Sequence, residues 1–163
     1  MKSVRMQVLG VLGGGVAAPE EESVAEQVGA AAGRCGWVVL TGGGPGVMAA
    51  ASRGAVEAGG LTMAILPNAF AGGGYPNSWV HLPVFTGAGY ARNNINVLSS
   101  TLCVAIGGGA GTLSEIALAL KNGVPVWSWR SWKVENPSGA VPDGLRIFDE
   151  PTELIEALED VML

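Results

Sequence analysis

The stretch LCVAIGGGAGTLSEIALALK, at residues 102–121, decides how this chain folds. Its first five residues, 102–106, are apolar and predict a strand that is buried on both faces. A glycine run follows at 107–111, and the rest of the stretch is typical of a helix that Asn122-Gly123 closes. A buried strand that leads through a glycine turn into a helix is the repeating unit of a parallel α/β sheet.

The rest of the chain repeats this alternation of short apolar runs and helical stretches. The predicted strands are 6–12, 37–40, 62–66, 80–84, 102–106, 124–127 and 146–148. The predicted helices are 20–33, 47–58, 90–99, 112–121 and 151–161, the last with Asp149 near its N-cap. Strands that are apolar on both faces and separated by helices predict a parallel sheet covered on both sides. Right-handed crossovers then give an α/β fold of the Rossmann-like, doubly wound type, as a single domain over residues 1–163.

Glycine is the compositional outlier among the 163 residues. The chain has 26 glycines, where average usage would give about 11. A hydrophobic share of 48% with 14% charged residues excludes a disordered chain, and the lack of a glycine period excludes collagen. The formal net charge of -5 disfavours nucleic-acid binding, which usually needs a basic patch.

The beginning of the chain could be read as a secretory signal, because Lys2 and Arg5 precede an apolar stretch. Glycines at 13–15 would interrupt the apolar part of such a signal, so a buried strand over 6–12 is favoured. No later run reaches the ~18 apolar residues of a membrane span.

The cysteines and the histidine predict neither a disulfide framework nor a metal site. Cys35 and Cys103 do not belong to a CxxC pair and are interpreted as small buried residues of a cytoplasmic protein. His81 is the only histidine, and with two distant cysteines it cannot supply a recognisable zinc site. No protein-bound metal is therefore expected.

Three glycine clusters, at 13–15, 42–46 and 107–111, each follow a predicted strand. The carboxyl ends of parallel strands meet at one edge of the sheet, where doubly wound folds bind their ligands. Glycine lets a ligand approach the main-chain N–H groups, and a helix N-terminus favours an anion. The clusters therefore predict a phosphate-bearing ligand at this edge, against the alternative that they are only tight structural turns.

The common nucleotide fingerprints do not fit these loops. A Walker A loop needs Gly-Lys-Ser/Thr, and neither large cluster has the lysine. Gly13, Gly15 and Ala18 loosely fit GxGxxG/A, but the second strand ends at Thr41 without an acidic residue to hold a ribose. An ordinary P-loop ATPase is excluded, and a dinucleotide dehydrogenase is disfavoured.

Two further patterns carry candidate chemistry. Thr112 and Glu115 have the Thr-x-x-Glu spacing of a capping box, or they bind phosphate and act as an acid, a base or an electrostatic stabiliser. Arg92 opens a weakly charged helix, where a cation opposes the dipole, which favours a phosphate or carboxylate partner. Asn93 and Asn96 add hydrogen-bonding groups beside it.

The segment GGAGTLSE, at 108–115, resembles the P-G-G-x-G-T-x-x-E motif of the LOG superfamily. Its best-known members are phosphoribohydrolases that release a cytokinin base from the nucleoside 5′-monophosphate. The segment TGGGPGVM, at 41–48, resembles the first glycine loop of that family, and Arg92 matches its catalytic arginine. The resemblance covers nearly the whole chain.

A closer branch is indicated by ARNNINVLSS, at 91–100, and EIALALK, at 115–121. Both resemble the molybdenum cofactor carrier proteins and their uncharacterised bacterial relatives, in which the same edge is expected to hold a pterin bearing a phosphate. Gly107 replaces the leading proline of the motif, Ala110 its usual tyrosine, and Asn93 a lysine of the hydrolases. These departures favour the carrier branch.

The resemblance leaves two functions open. The first is a molybdenum cofactor carrier, and the alternative is a phosphoribohydrolase that cleaves the N-glycosidic bond of a nucleoside 5′-monophosphate, with Arg92 and Glu115 as catalytic residues. The residues expected to bind the ligand are Gly13, Gly14, Gly42, Gly43, Gly44, Gly46, Met48, Arg92, Asn93, Asn96, Gly108, Gly109, Gly111, Thr112 and Glu115.

The label lysine decarboxylase, which some members carry, does not fit. A pyridoxal enzyme needs a Schiff-base lysine, and Lys2, Lys121 and Lys133 are the only lysines, none of them in a glycine loop. The resemblance further implies a homodimer or homotetramer. The tryptophans at 127, 129 and 132 are expected to serve core and subunit contacts rather than stacking on a ligand.

Overall fold

A computed structural model describes residues 5–163 and forms one parallel sheet flanked by helices. Lys2 and the other residues at 1–4 lie outside the described residues. The strands are β1 (Val8–Gly13), β2 (Val38–Thr41), β3 (Thr62–Leu66), β4 (Leu82–Phe85), β5 (Leu102–Ile106), β6 (Val126–Trp129) and β7 (Leu145–Phe148). The helices are α1 (Pro19–Arg34), α2 (Val47–Glu57), α3 (Arg92–Leu98), α4 (Ala110–Lys121) and α5 (Pro151–Met162), with a 3-10 turn at Gly89–Ala91.

The strand order is β4-β3-β2-β1-β5-β6-β7, and every neighbouring pair is parallel. The chain therefore builds one half of the sheet outward from β1, crosses back, and builds the other half outward from β5. The order reverses between β1 and β5, which is where a doubly wound sheet opens a crevice for a ligand. The predicted Rossmann-like fold is confirmed.

Alternate residues of the central strands serve two separate cores. On one face, Val104 packs with residues of α1, α2 and α5. On the other face, Cys103 and Ala105 pack with residues of α3 and α4. Strands buried on both faces explain why the sequence shows continuous apolar runs rather than alternation.

Glycines inside α1 and α2 have a role that the sequence reading did not assign. A Cβ at Gly33 would lie 2.8 Å from the Ala55 oxygen, and Cβ atoms at Gly29 and Gly54 would come even closer to the backbone of the facing helix. Only glycine permits this approach, so α1 and α2 cross with their backbones nearly touching. Part of the glycine surplus therefore serves helix packing.

Several predicted boundaries shift in the structure. Strand β6 begins two residues late, because Val124 N–H still bonds to the Ala119 oxygen at 2.9 Å as the chain leaves α4. Glu150, not Asp149, is the N-cap of α5, with Pro151 at its first position. The predicted helix at 90–99 divides into the 3-10 turn and α3. In the described residues, no helix is long and apolar enough to cross a membrane.

Candidate functional site

A cavity of about 220 Å³ opens where β1, β2 and β5 end. It lies at the reversal point of the sheet, so all three glycine clusters reach it. Its lining comprises Val11, Gly13, Gly14, Gly15, Gly42, Met48, Tyr90, Arg92, Asn93, Gly109, Gly111, Thr112 and Glu115. The strand ends thus gather backbone groups, one arginine and one carboxylate around a single space.

Ten of the predicted ligand residues border this cavity, and five are not in its lining. The five are Gly43, Gly44, Gly46, Asn96 and Gly108. Three lining residues were not predicted, namely Val11, Gly15 and Tyr90. Val11 and Tyr90 belong to no recognisable motif, whereas Gly15 belongs to the glycine cluster at 13–15 that predicts the ligand edge.

The first glycine loop, at 42–46, is packed into the fold. Gly43 has a φ of +80° and donates its N–H to Thr41 Oγ1 at 3.0 Å. A Cβ at Gly46 would lie 2.8 Å from the Gly15 carbonyl carbon. The first N–H of α2, from Val47, bonds to the Gly14 oxygen at 3.1 Å. The N-terminus of α2 therefore already has a backbone partner there.

The second glycine loop, at 107–111, is packed at Gly107 and Gly108 and open at Gly109 and Gly111. A Cβ at Gly109 or Gly111 would have no atom within 4 Å. Gly109 is the N-cap of α4, which has no side-chain cap, and Gly109 and Gly111 both border the cavity. The first-turn N–H groups of a helix lack intrahelical partners and favour an anion. The N-terminus of α4 is thus the better anion site of the two helix ends.

The capping-box prediction for Thr112 and Glu115 is wrong. Helix α4 begins at Ala110, so Thr112 stands in its first turn rather than at its N-cap. Thr112 is buried against Gly108, whose φ of +92° brings the loop over its side chain. Glu115 is free of the capping role and faces the cavity instead.

Both loops are fixed from behind by residues that follow a later strand. Asn77 binds the first loop twice, its backbone N–H to the Gly43 oxygen at 2.7 Å and its Nδ2 to the Gly44 oxygen at 2.8 Å. On the second loop, Ser131 Oγ donates to the Gly107 oxygen at 2.7 Å. The C=O and N–H of a planar trans peptide point in opposite directions. Fixing the Gly107 carbonyl therefore directs the next N–H away from Ser131.

The three tryptophans prove to have different roles. Trp129 is buried in the main core, and Trp127 packs against that core with its ring centroid 5.5 Å from that of Phe148. Trp132 is 42% exposed, and its Nε1 donates to the Gly109 oxygen at 3.0 Å. The expectation of a core contact therefore fails for Trp132, which supports the second glycine loop.

Arg92 is the first residue of α3 and joins the ends of two strands. Its Nη1 donates to the Gly42 oxygen at 2.8 Å and to the Ile65 oxygen at 2.6 Å. Burial lowers the pKa of Arg92 below its ordinary value, while the charge of Glu115 and then Tyr75 oppose that change. An arginine remains charged in proteins, so the cavity wall carries a fixed cation.

The Nε of Arg92 is buried and has no hydrogen-bond partner. A buried donor without a partner is costly and usually indicates a missing ligand or water. The guanidinium is thus anchored to the protein at Nη1, while its Nε has no hydrogen-bond partner among the described residues.

Glu115 lies on α4 and is only 8% exposed. Burial raises its pKa above the ordinary range, while the hydrogen bond from Asn96 Nδ2 to Oε1, at 2.9 Å, and the charge of Arg92 act in the opposite direction. Asn96 therefore sits behind Glu115 and orients it, rather than bordering the cavity. A raised pKa favours the protonated form of this carboxyl group, and perturbed carboxyl groups of this kind are candidates for acid or base roles.

The floor beneath Glu115 has a low polarity. Burial raises the pKa of the Cys103 thiol to about 12, against the lowering effect of its hydrogen bond with Ser100. Cys103 is thus a buried, unreactive thiol, as the sequence predicts. Cys35 is only partly buried.

The wall between Arg92 and α4 is made by Asn93 and Ser114. Asn93 Nδ2 donates to Ser114 Oγ at 2.9 Å, and Ser114 Oγ donates to the Gly111 oxygen at 2.6 Å. This chain of bonds ties α3 to the start of α4. No group of three or more His, Cys, Asp or Glu residues suited to a metal ion occurs in the described part of the chain.

The geometry therefore offers a fixed cation, open first-turn N–H groups and one buried carboxyl around a small space. The first two suit a phosphate group, because charge-assisted hydrogen bonds to an anion are the strong ones. The third can hold or release a proton, or stabilise a positive charge that develops nearby.

Comparison with known proteins identifies the family. The family model described as the SLOG cluster4 family matches residues 6–152. An uncharacterised protein of Archaeoglobus fulgidus is 37% identical over 152 residues, which cover 93% of this chain and 94% of that protein.

Two solved structures are similar over almost their whole length. The molybdenum cofactor binding protein of the phototrophic bacterium Rippkaea orientalis shares 40% identity with a TM-score of 0.85, covering 99% of this chain and 100% of that chain. The molybdenum cofactor carrier protein of Chlamydomonas reinhardtii shares 34% identity with a TM-score of 0.81, covering 97% and 99%. The chain belongs to the SLOG cluster4 family, and the resemblance drawn from its glycine motifs is confirmed.

Proposed function

We propose that this member of the SLOG cluster4 family binds a phosphorylated pterin, the molybdenum cofactor, and carries it as cargo. The observation that carries this proposal is the cavity at the reversal point, where the N-terminus of α4 and the Arg92 guanidinium border one space. Similar chains of 40% and 34% identity are described as molybdenum cofactor binding and carrier proteins.

The residues fit a phosphate ester. The buried, unpartnered Nε of Arg92 is a donor that an anion would satisfy, and Gly109 and Gly111 leave space for close approach to the backbone. Gly13, Gly14 and Gly42 would border the phosphate on the side of β1 and β2. The molybdenum chemistry belongs to the cargo, and the protein supplies binding and shielding from water.

A hydrolase is the second candidate, favoured by the position of the Glu115 carboxyl group and the Arg92 guanidinium on one cavity. In that reaction, Arg92 would orient a nucleoside 5′-monophosphate. Glu115 would stabilise positive charge on the ribose or position the attacking water. The same two residues border the cavity in either case, so geometry alone supports both.

We also propose that the protein works as a homodimer or homotetramer in the cytoplasm. Helix α3 exposes Ile95 and Leu98, at 41% and 53%, on a face without a covering element. Apolar side chains of this kind are common at interfaces between copies of one chain.

One experiment separates carrier from hydrolase. The purified protein is incubated with a panel of nucleoside 5′-monophosphates, free base and ribose 5-phosphate are assayed, and bound pterin is titrated in parallel. We expect no turnover and saturable binding of molybdopterin. Base release by the wild type that Glu115→Gln abolishes would overturn the carrier proposal and support the hydrolase.

A further inference from the structure

A second cavity, of about 360 Å³, lies beside the first. It is lined by Tyr90, Asn93, Ala110, Gly111 and Ser114. Three of these residues, Tyr90, Asn93 and Gly111, also border the first cavity. The two spaces are therefore neighbours with a common wall, and one ligand can reach both.

The two spaces differ in chemistry. The first cavity has the Arg92 guanidinium, the Glu115 carboxyl group and the three glycine loops in its lining. The second has no charged residue in its lining. There, the Asn93 amide nitrogen and the Ser114 hydroxyl are already bonded to each other. What remains is a tyrosine ring and small aliphatic surface, which suits a flat, weakly charged group.

The sizes agree with a ligand that spans both. Sites for small molecules usually measure about 300–1,000 Å³, so the first cavity alone, at about 220 Å³, is too small for a whole phosphorylated cofactor. It is adequate for a phosphate and the carbon atoms next to it. The second cavity adds the space that a bicyclic ring requires.

Tyr90 borders both spaces. It is 91% exposed and lies in the 3-10 turn that leads directly into α3. Gly89, the first residue of the turn, and Gly87, two residues before it, have φ of +55° and +62°, a region that glycine adopts readily. Tyr90 and Arg92 are two residues apart. One short segment therefore places the Arg92 cation at the first cavity and the Tyr90 ring at both.

We propose that the second cavity is a ring subsite, which takes the flat heteroaromatic ring of the phosphorylated ligand and stacks it on Tyr90. The inference rests on the proposed function, because it requires the phosphate to lie in the first cavity. Bases and pterins are both flat heteroaromatic rings, and stacking on an aromatic side chain tolerates either. Tyr90 is thus a specificity-determining residue for the class of ring-bearing phosphates.

The test is a calorimetric titration with two probes, ribose 5-phosphate and guanosine 5′-monophosphate. Guanine has the same 2-amino-oxopyrimidine edge as a pterin, and ribose 5-phosphate lacks a ring system. Free guanine is assayed in the same samples to detect turnover. We expect Tyr90→Ala to weaken guanosine 5′-monophosphate binding on the order of tenfold, the effect of losing one stacking partner. Ribose 5-phosphate binding should weaken by a smaller factor, because Tyr90 also borders the first cavity but this probe has no ring to stack on it.

Two further variants make the result specific. Tyr90→Phe retains the ring and should retain the affinity for guanosine 5′-monophosphate. Phe70→Ala removes another aromatic ring, 77% exposed and outside both cavities, and should change neither probe. Ala110→Leu places a larger side chain in the second cavity. It should weaken the binding of guanosine 5′-monophosphate and leave the binding of ribose 5-phosphate unchanged.

The failures are distinguishable. If the wild type binds neither probe, the phosphate site and the proposed function are overturned together with this inference. If the wild type binds both probes equally, or Tyr90→Ala weakens both by the same factor, the ring subsite alone is overturned.

Discussion

The two large glycine loops of this protein are similar in sequence, but their glycines have different surroundings in the fold. The loop at 42–46 follows β2, and its glycines touch neighbouring backbone and side chains. The loop at 107–111 follows β5, and a Cβ added at Gly109 or Gly111 would meet no described atom within 4 Å. In the first loop, glycine permits close packing; in the second, it leaves space beside a helix N-terminus.

This difference assigns the two loops to different parts of the function. The first loop supplies the Gly42 carbonyl that holds Arg92, so it positions the cation. The second loop borders the cavity with the start of α4, so it presents hydrogen-bond donors to an anion. A glycine cluster at a strand end therefore predicts a site correctly without showing which glycines meet the ligand.

The largest expected effect comes from adding a methyl group to each loop. Gly46→Ala forces an L-residue into a φ of +64° and drives its Cβ into the backbone at 14–15. We expect the free energy of unfolding to fall by about 3 kcal/mol or more, measured by urea denaturation. Gly111→Ala lies in open space in the first turn of α4 and should raise stability by up to about 1 kcal/mol.

Gly111→Ala should therefore affect ligand binding rather than reduce stability. Gly111 borders the cavity, so Gly111→Ala is expected to weaken ribose 5-phosphate binding in a protein that remains folded. Equal loss of stability in both variants would break the distinction between a packed loop and an open loop.

A smaller effect is expected from the residues that fix the loops. Asn77→Ala removes the bond from Nδ2 to the Gly44 oxygen and the bond that Oδ1 accepts from the Trp79 N–H, at a cost of about 1–2 kcal/mol of stability. Trp132→Phe removes one bond, to a Gly109 oxygen that Leu113 N–H still occupies at 3.1 Å, and should cost only about 0.5 kcal/mol.

Calorimetry and denaturation on both variants check this ranking. Trp132→Phe should weaken ribose 5-phosphate binding more than its small loss of stability suggests, because it frees the loop that meets the ligand. If Asn77→Ala instead has the larger effect on binding at equal folded fraction, the first loop contacts the ligand more directly than its packing indicates.

The smallest expected effect on stability is that of Glu115, which borders the same cavity as Gly42 of the first loop. Its folded pKa is raised by burial, so its contribution to stability is fully present below the ordinary glutamate pKa of about 4.3. That contribution is lost as the pH rises through the raised value. The hydrogen bond from Asn96 and the charge of Arg92 act against the raised pKa.

Denaturation curves recorded between pH 4 and pH 8 measure how the contribution of Glu115 to the free energy of unfolding changes with pH. Glu115→Gln should gain stability relative to the wild type as the pH rises, and the two proteins should converge at low pH. Glu156→Gln, on the exposed part of α5, controls for the loss of one negative charge. A constant difference across the range would mean that the Glu115 carboxyl group is ionised at no cost.

Much of the fold is predictable from the chain because its signals are local. The apolar run 102–106 becomes β5 with the predicted bounds, and Gly36, Gly59 and Gly123 each have a positive φ just past a helix. The errors fall at helix ends, where backbone hydrogen bonds that the residue pattern does not show decide the boundary. Strand β6 starts late because Val124 bonds back to α4, and α4 starts early, so Thr112 is not its cap.

The site was predictable in part for the same reason. Arg92, Glu115 and the glycines at 109 and 111 border the cavity, since motif and strand end coincide there. Tyr90 and Trp132 could not have been predicted as site residues, because nothing in their local sequence indicates which surface they meet.

The sequence by itself determined the order and type of the elements, the doubly wound class of the fold, and the edge at which the glycine clusters meet. These depend on apolar runs, helix ends and the handedness of crossovers, which are properties of neighbouring residues. The tertiary structure alone decided that the glycines at 42–46 are packed and that Gly109 and Gly111 are open. A glycine is the same in both, and only the atoms brought against it from distant parts of the chain determine whether it meets protein or space.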